Sequence, residues 1–302
     1  MKDIKGQTAF ITGGASGIGL ATAQALARRG ARLVLADLDA PRVEAAAAEL
    51  RATGSDAIGV ALNVAEEAEW AAAHEAARSF GDVRILFSNA GVGGGSGAFE
   101  TYETDVWRWA YAVNAHAHLY ACRTFLGAMK DSGQPCHVAI TSSMVGIVPP
   151  PISVAYISSK FATLGIALGL RNELADTQVG LSVLCPGMSA TRIVETTQAL
   201  RPGASEAGQA AQTAQNMGSV LASGMSPEKI GERVVEAIEA NAFYIFTHPE
   251  WKPLVEAQFA DLLSAFGASA DPAYAGDDLE SLVAANGAQR LTAGVGPVKQ
   301  GS

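Results

Sequence analysis

The segment Thr8-Ala-Phe-Ile-Thr-Gly-Gly-Ala-Ser-Gly-Ile-Gly19 is the strongest indication of the fold of this chain. An apolar run ends at Thr12, and glycines follow at 13, 17 and 19 before an alanine-rich helical pattern begins. Gly13 permits a tight turn, Gly17 lets the backbone approach a pyrophosphate, and Gly19 allows a helix to pack closely on a strand. Free N–H groups at the start of that helix attract a phosphate. Ordinary turns also use glycine, but the flanking strand and helix favour a phosphate cradle.

Outward from this turn, short apolar runs alternate with alanine-rich helical runs. Strands are predicted at residues 8–12, 31–36, 57–62, 85–88, 137–141, 180–184 and 243–247, and helices at 17–29, 41–53, 66–80, 103–130, 154–176 and 227–241. The strands are apolar throughout, which is typical of a parallel sheet covered on both faces. The alternation therefore predicts an α/β fold with a doubly wound parallel sheet, whose ligands bind at the C-terminal ends of the strands.

No domain boundary is evident within residues 1–266, so we expect a single domain there. The alternation is interrupted at residues 188–226, which predict a small helical lid over the site. The candidate pocket residues of this lid are Met188, Ile193, Met217, Leu221 and Met225. Residues 267–302 are poor in apolar periodicity, and they predict a C-terminal extension that is either a weakly ordered tail or a partner-contacting arm.

Composition narrows the classes of protein. Of 302 residues, 49% are apolar, which allows a substantial core, and 21 basic against 30 acidic residues give a net charge of −9. The absence of a basic run argues against nucleic acid and anionic membrane surfaces as partners. No signal peptide or membrane-spanning stretch is evident. Three isolated cysteines, Cys122, Cys136 and Cys185, suggest a reducing compartment, and we expect a cytoplasmic protein.

No metal site is predicted. His116 and His118 lie two residues apart on a predicted helix, so their side chains point to different sides and cannot chelate one ion. Tryptophans 107, 109 and 251 are expected to pack cores or subunit contacts.

Asp37 ends the second predicted strand, a position from which a carboxylate accepts hydrogen bonds from adenosine ribose hydroxyls. The same charge would repel a 2′-phosphate, and neither Ala15 nor Leu38 supplies a positive charge to reverse that preference. The sequence therefore predicts NAD as the cofactor, not NADP. The alternative is that Asp37 is a turn residue before the helix at 41–53. Asp39 is better placed to cap that helix, because it lies closer to its start.

Four polar residues suggest the chemistry. Tyr156 and Lys160 lie four apart and stack on one face of a predicted helix, and Ser143 follows a predicted strand. An ammonium and an oxidised nicotinamide both favour the phenolate form of a nearby tyrosine. Ser143 can then hold a substrate oxygen while Tyr156 takes its proton, and Asn114 on the long helix could anchor a water that links Lys160 to solvent.

Together these residues resemble the short-chain dehydrogenase/reductase family, across about residues 5–250. The matching pieces are Thr12-Gly-Gly-Ala-Ser-Gly-Ile-Gly19, Asp37, Asn63-Val64, Asn89-Ala-Gly91, Asn114, Ser143, Tyr156-Ile-Ser-Ser-Lys160, Pro186-Gly187 and Thr191. Two departures are mild: Asn63 stands where the family usually has aspartate, and Ser88 replaces the first asparagine of Asn-Asn-Ala-Gly.

The resemblance implies a Rossmann-type fold and assigns roles to these positions. The catalytic residues would be Asn114, Ser143, Tyr156 and Lys160. The cofactor-binding residues would be Gly13, Ser16, Gly17, Ile18, Gly19, Asp37, Leu38, Asn63, Val64, Asn89, Ala90, Gly91, Tyr156, Lys160, Pro186, Gly187, Met188 and Thr191. In the family, the helices predicted at 103–130 and 154–176 pair between subunits, so a homodimer or homotetramer is expected.

The substrate is expected to be a bulky, apolar secondary alcohol or its ketone. The predicted site walls at 93–99, 144–154 and 188–226 carry glycine, proline and methionine, and Arg192 and Arg201 are the only basic residues of the lid. Residues 241–251, 255–263 and 200–202 also resemble the Cα-dehydrogenases, which oxidise the benzylic alcohol of lignin-derived aryl ethers.

Other functions remain open at this level. They are a non-catalytic dinucleotide sensor or scaffold, and a short-chain reductase for steroid or acyl-carrier substrates. A methyltransferase could share the glycine turn, but it has no use for Tyr156 and Lys160.

Overall fold

A computed structural model describes residues 1–95, 97–203, 218, 221–266 and 276–285. Seven parallel strands form one sheet in the order β3-β2-β1-β4-β5-β6-β7. They are β1 (Thr8–Thr12), β2 (Arg32–Asp37), β3 (Ala57–Ala61), β4 (Val83–Ser88), β5 (Cys136–Thr141), β6 (Val179–Cys185) and β7 (Tyr244–Phe246). The predicted doubly wound parallel sheet is confirmed.

Helices cover both faces of the sheet. They are α1 (Gly17–Arg28), α2 (Ala40–Ala52), α3 (Trp70–Phe80), α4 (Thr104–Tyr111), α5 (Ala117–Asp131), α6 (Val154–Glu173), α7 (Ile193–Leu200), α8 (Pro227–Ala240), α9 (Lys252–Ser264) and α10 (Leu279–Ala285). The single helix predicted at 103–130 is instead α4 and α5 joined by a π-helical turn, Ala112–His116. The helix predicted at 66–80 begins with a 3₁₀ turn, Glu67–Glu69.

The order of the strands reverses at β1, which lies between β2 and β4. Every residue of β1 and of β5 is buried. On one face Ile230, Val234 and Ile238 of α8 share a core with α1, and on the other Phe125 and Met129 of α5 pack against the sheet. Because the crossovers diverge at β1, a crevice opens beyond the C-terminal ends of β1 and β4.

Two predicted regions are only partly described. Most of the lid between 204 and 220, including Met217, lies outside the described residues, and α7 is its first helix. Of the extension at 267–302, only residues 276–285 are described, and they contain α10. Among the described helices, none combines the length and the apolar character that crossing a bilayer requires.

Candidate active site

The glycine turn forms a cradle in which added side chains would collide. A Cβ on Gly13 would lie 3.1 Å from the Cα of Ala90, and one on Gly19 would overlap the carbonyl oxygen of Gly13. Gly13 and Gly17 also have positive φ values of 65° and 53°. Ser16 is the N-cap of α1, yet its side chain makes no capping bond. The turn thus leaves backbone N–H groups and a free hydroxyl at a helix N-terminus, which fits a pyrophosphate.

Asp37 lies at the end of β2 and is joined to the cradle. Its Oδ2 accepts a hydrogen bond of 3.1 Å from the backbone N–H of Ala15. As predicted, Asp39 is the capping residue of α2, since its Oδ1 accepts from the N–H of Arg42 at 3.1 Å. Arg42 also lines the same cavity as Asp37, so a basic residue faces the region that the sequence analysis treated as free of positive charge.

Asn89 fastens the ends of three strands. Thr12 Oγ1 accepts from the N–H groups of Asn89 and Ala90 at 2.8 and 3.0 Å, and the Asn89 amide donates to the Thr12 carbonyl at 3.1 Å. Thr141 donates to Asn89 Oδ1 at 3.1 Å. Together these bonds fix the geometry at the C-terminal ends of β1, β4 and β5.

Ser143, Tyr156 and Lys160 line one cavity, as the spacing predicted. The side chain of Ser153 caps α6, which carries Tyr156 and Lys160 on one face. Lys160 is 2% exposed, its Nζ donates to the Thr141 carbonyl at 3.0 Å, and it lies 5.8 Å from the centre of the Tyr156 ring.

The bonds of Ser143 within the protein are weak. Its Oγ donates to the Pro186 carbonyl at 3.3 Å and accepts from the N–H of Val145 at 3.3 Å. The first distance is longer than usual for a hydrogen bond from a hydroxyl to an oxygen. The second is longer than usual for a hydrogen bond from a backbone amide to an oxygen. The hydroxyl can therefore turn to a ligand at small cost.

Burial controls the charge states of the pair. It raises the pKa of Tyr156 above its ordinary value, and a hydrogen bond from Ser143 opposes that effect only partly. Burial lowers the pKa of Lys160 to about 8, while nearby Cys185 acts in the opposite direction. From the sequence we expected an ammonium to favour the phenolate. In this structure burial is the larger cause of the shift and favours the neutral form, so the phenol is protonated at neutral pH.

Asn114 is held rigidly behind the cavity. Its Oδ1 accepts from the N–H of Val92 at 2.8 Å, and its Nδ2 donates to the Val92 carbonyl at 2.9 Å and to Ser159 Oγ at 3.0 Å. Thr163 donates to the Asn114 carbonyl at 2.7 Å. A Cβ on Gly91 would lie 3.3 Å from Asn114 Oδ1 and 3.4 Å from the Nζ of Lys160. Asn114 is thus placed close to the lysine, with its side-chain amide fully occupied.

The substitution of Ser88 for the usual asparagine has a local partner. Ser88 Oγ lies 2.7 Å from Nδ1 of the buried His118. Burial lowers the pKa of His118 to about 3, with a smaller contribution from the charge of Lys160, so the imidazole is neutral.

The predicted cofactor residues surround the same cavity, whose volume is about 1400 Å³. Those lining it are Gly13, Ser16, Gly17, Ile18, Asp37, Leu38, Asn63, Val64, Asn89, Ala90, Gly91, Pro186, Gly187, Met188 and Thr191. Gly19 lies behind the turn and Asn114 behind the wall. The cavity exceeds the roughly 300–1,000 Å³ of ordinary ligand pockets, which leaves room for a dinucleotide and a second molecule.

Several residues in and around the cavity wall could not be recognised from the sequence. Trp109 and Trp251 pack against core clusters, as expected, and they also line the cavity, which the sequence did not predict. Tyr102 does not line the cavity, but its hydroxyl bonds to two residues that do: it accepts from the N–H of Gly95 at 2.8 Å and lies 2.9 Å from Ser153 Oγ. Trp109 lies within α4 and Trp251 immediately before α9, and neither periodicity nor spacing predicts that their rings face a cavity.

The fold and the cavity define a dinucleotide-binding oxidoreductase, and the chain belongs to the short-chain dehydrogenase family, whose model matches residues 7–201. It is an NAD(P)-dependent oxidoreductase. Among its relatives, a Cα-dehydrogenase from Sphingobium is 32% identical, with 94% of each chain covered. A 1-deoxy-11-β-hydroxypentalenate dehydrogenase from Streptomyces exfoliatus is 33% identical over 85% of this chain and 88% of its own.

Solved structures agree with this assignment. A short-chain dehydrogenase/reductase from Burkholderia phymatum in complex with NAD superposes with a TM-score of 0.83 at 31% identity, covering 92% of this chain and 100% of that one. The apo form of LigD from Sphingobium superposes with a TM-score of 0.73 at 30% identity, covering 89% of this chain and 100% of that one. The predicted resemblance to the family and to the Cα-dehydrogenases is confirmed.

Proposed function

We propose that this protein is an NAD-dependent dehydrogenase that interconverts a bulky, apolar secondary alcohol, benzylic in its preferred substrates, and the corresponding ketone. The observation that carries the proposal is a single cavity with the glycine cradle and Asp37 at one end and Ser143, Tyr156 and Lys160 at the other. The similarity to a Cα-dehydrogenase over 94% of both chains supports a benzylic substrate.

Each polar residue has a distinct task in the proposed reaction. NAD, when bound, supplies the carbon that accepts the hydride from the carbinol carbon. Ser143 holds the substrate oxygen, and Tyr156 takes the hydroxyl proton during oxidation or returns it during reduction. The ammonium of Lys160 stabilises the phenolate that oxidation requires. Alcohol and NAD⁺ thus become ketone, NADH and one proton, which leaves through Tyr156 and the buried polar groups around Lys160.

The choice of NAD over NADP rests on Asp37. Its carboxylate is held in place by the N–H of Ala15 and lines the cavity beyond the cradle, where it can accept from ribose hydroxyls. Arg42 opposes this preference and favours NADP, because a guanidinium attracts the 2′-phosphate.

The wall of the cavity supports a substrate with an aromatic ring. Trp109 and Trp251 offer flat apolar faces, and Met144, Val145 and Ile193 add aliphatic surface. Aromatic rings pack favourably against one another in tilted or offset arrangements. Arg192 is paired with Glu195 at 2.6 Å, which reduces its availability to an anionic substrate.

A screen of NADH formation tests the proposal. We expect turnover with benzylic secondary alcohols carrying a large second substituent, and slower turnover with steroid and aliphatic secondary alcohols. A protein that binds NAD but oxidises no alcohol of the panel, and reduces none of the matching ketones with NADH, would instead act as a dinucleotide sensor.

We further propose a homodimer or homotetramer formed through α4, α5 and α6. Leu119, Phe161 and Leu168 on these helices are 51%, 41% and 39% exposed. A Cβ on Gly165 or Gly169 would meet nothing within 4 Å, so a second helix can approach closely there.

A further inference from the structure

His248 follows β7 and lies against the turn that the family uses at the nicotinamide end of its cofactor. The residue is 7% exposed. Its Nδ1 accepts a hydrogen bond of 3.0 Å from the backbone N–H of Gly187, and its Nε2 lies 2.9 Å from the carbonyl oxygen of Met188. One imidazole ring therefore bonds to the two peptide groups on either side of the Gly187–Met188 peptide.

The tautomer of this histidine follows from its neighbours. The N–H of Gly187 can only donate, and the hydroxyl of Thr247 also lies 2.7 Å from Nδ1. Nδ1 therefore carries no hydrogen, and the ring proton is on Nε2, where it donates to the Met188 carbonyl. The ring offers one acceptor and one donor, and the turn uses both.

The turn is shaped to receive this ring. A Cβ on Gly187 would lie 2.7 Å from Cγ of His248, so only glycine leaves room for the imidazole. The Met188 carbonyl also accepts from the N–H of Met225 at 2.9 Å, and Ser189 pairs with Met225 in a short bridge. The ring of His248 and the C-terminal end of the lid segment thus meet at one carbonyl oxygen.

We propose that His248 is a positioning residue that fixes the Gly187–Met188 peptide for the nicotinamide half of the cofactor. The inference rests on the proposed function only in taking NAD as the ligand. His248 itself touches no reacting atom. It acts through Gly187 and Met188, both of which line the cavity.

The test compares two ligands that differ in the nicotinamide. NADH and ADP-ribose are titrated into the full-length protein by calorimetry, together with H248F, which removes both ring nitrogens, and H248N, whose amide oxygen restores an acceptor near the Nδ1 position. For H248F we expect the affinity for NADH to fall about 10-fold while the affinity for ADP-ribose stays within about twofold of wild type. H248N should recover most of the loss. H74F, a half-exposed histidine outside the cavity, should change neither affinity.

Equal losses for both ligands, or an unchanged affinity of H248F for NADH, would overturn this role. If H248F does not fold, the same titrations are made on H248Q, which keeps a donor for Met188 but offers Gly187 no acceptor, and the same selective loss is expected. Turnover does not enter these measurements. A protein that binds both ligands but transfers no hydride would overturn the proposed function and leave the result for His248 intact.

Discussion

At the scale of single residues, the site depends on groups whose charge is set by burial. Lys160 is almost fully buried and has a pKa of about 8, and Tyr156 has a raised pKa. The phenol is therefore ready to donate a proton to a ketone. Oxidation of an alcohol needs an additional positive charge close to the phenol, which oxidised nicotinamide provides.

Substitution of Tyr156 by phenylalanine removes this proton donor with little change in shape. We expect Y156F to lower kcat by roughly 10²–10⁴-fold, the usual contribution of a positioned acid or base. The affinity for NADH should stay within about twofold, because the cradle is untouched. Steady-state kinetics and calorimetry provide the measurements. Y120F, on α5 and outside the large cavity, is the control, and activity of Y156F close to that of wild type would refute the assignment.

The proposed preference for NAD rests on Asp37, and Arg42 is the charge that opposes it. We expect D37A to raise the ratio of kcat/KM for NADP to that for NAD by at least about 10-fold, because the repulsion of a 2′-phosphate is lost while Arg42 remains. The double variant D37A/R42A should lose most of this gain. D39A is the matched control, since it removes only the cap of α2, and it should cost about 1 kcal/mol of stability without changing the ratio. An unchanged ratio in D37A contradicts the role of Asp37.

At the scale of elements, the hydroxyl of Thr197 attaches α7 to the wall of the cavity. Thr197 Oγ1 accepts from the N–H of Gly93 at 2.7 Å and donates to the Ile193 carbonyl at 2.6 Å. Thr197 is only 7% exposed, although it belongs to a helix whose other residues are more open. The first helix of the lid is therefore tied to the loop that follows β4.

Removal of this hydroxyl should loosen the lid. We expect T197V to raise KM for the alcohol several-fold and to speed hydrogen exchange at Gly93, since its N–H loses a buried acceptor worth about 1–3 kcal/mol. T197S keeps the hydroxyl and should behave like wild type. Hydrogen exchange at Gly93 is measured by mass spectrometry in both variants. Equal exchange rates in T197V and T197S would show that the Thr197 hydroxyl does not hold the lid.

The sequence predicted elements better than it predicted their details. All seven strands and the alternation were visible because buried parallel strands are continuous apolar runs. The π-helical turn Ala112–His116 was not visible, because helix propensity and periodicity do not distinguish it from an α-helix, and the long-range bond of Asn114 to Val92 within it leaves no local signal. Likewise, Ser143, Tyr156 and Lys160 could be found from their types and spacing. Trp109 and His248 could not, because their roles depend on which loop they face.

At the scale of the whole molecule, two neutral histidines are enclosed in the core. Burial lowers the pKa values of His118 and His137 to about 3. Among the described side chains, His118 Nε2 and His137 Nδ1 are buried without a hydrogen-bond partner. The unfolded chain, in which histidine has its ordinary pKa near 6.5, binds more protons between pH 6.5 and pH 3. The free energy of unfolding therefore falls as the pH is lowered through that window.

Unfolding in urea at pH 6.5 and pH 5 measures this effect. Each buried histidine should contribute a loss of about 2 kcal/mol between these two values. H137Q keeps a polar group near Ser182, but glutamine does not titrate. Between pH 6.5 and pH 5, the free energy of unfolding of H137Q should therefore fall less than that of wild type, by the contribution of one histidine. H74Q, at a half-exposed position, controls for the general effect of replacing a histidine by glutamine. The same slope in H137Q and wild type would contradict the assignment.

The assembly is tested by light scattering after size exclusion. We expect twice or four times the mass of one chain, and a smaller species for F161E/L168E, because charges would enter a contact between α6 helices. L263E on α9, where the leucine is 64% exposed, controls for the general effect of adding a charge at an exposed apolar position. A monomeric wild-type protein at micromolar concentration would rule out the proposed oligomer.

The side-chain amide of Asn114 bonds to Val92 as the backbone of a neighbouring strand would. It accepts a hydrogen bond from the N–H of Val92 and donates one to the Val92 carbonyl. Only a carboxamide offers both in one plane. Deamidation to aspartate would replace a donor by an oxygen facing the Val92 carbonyl, and two acceptors would then repel each other. Deamidation at this single nitrogen would therefore weaken the attachment of the loop beyond β4, which the bonds of Gly93 and Gly95 would still hold.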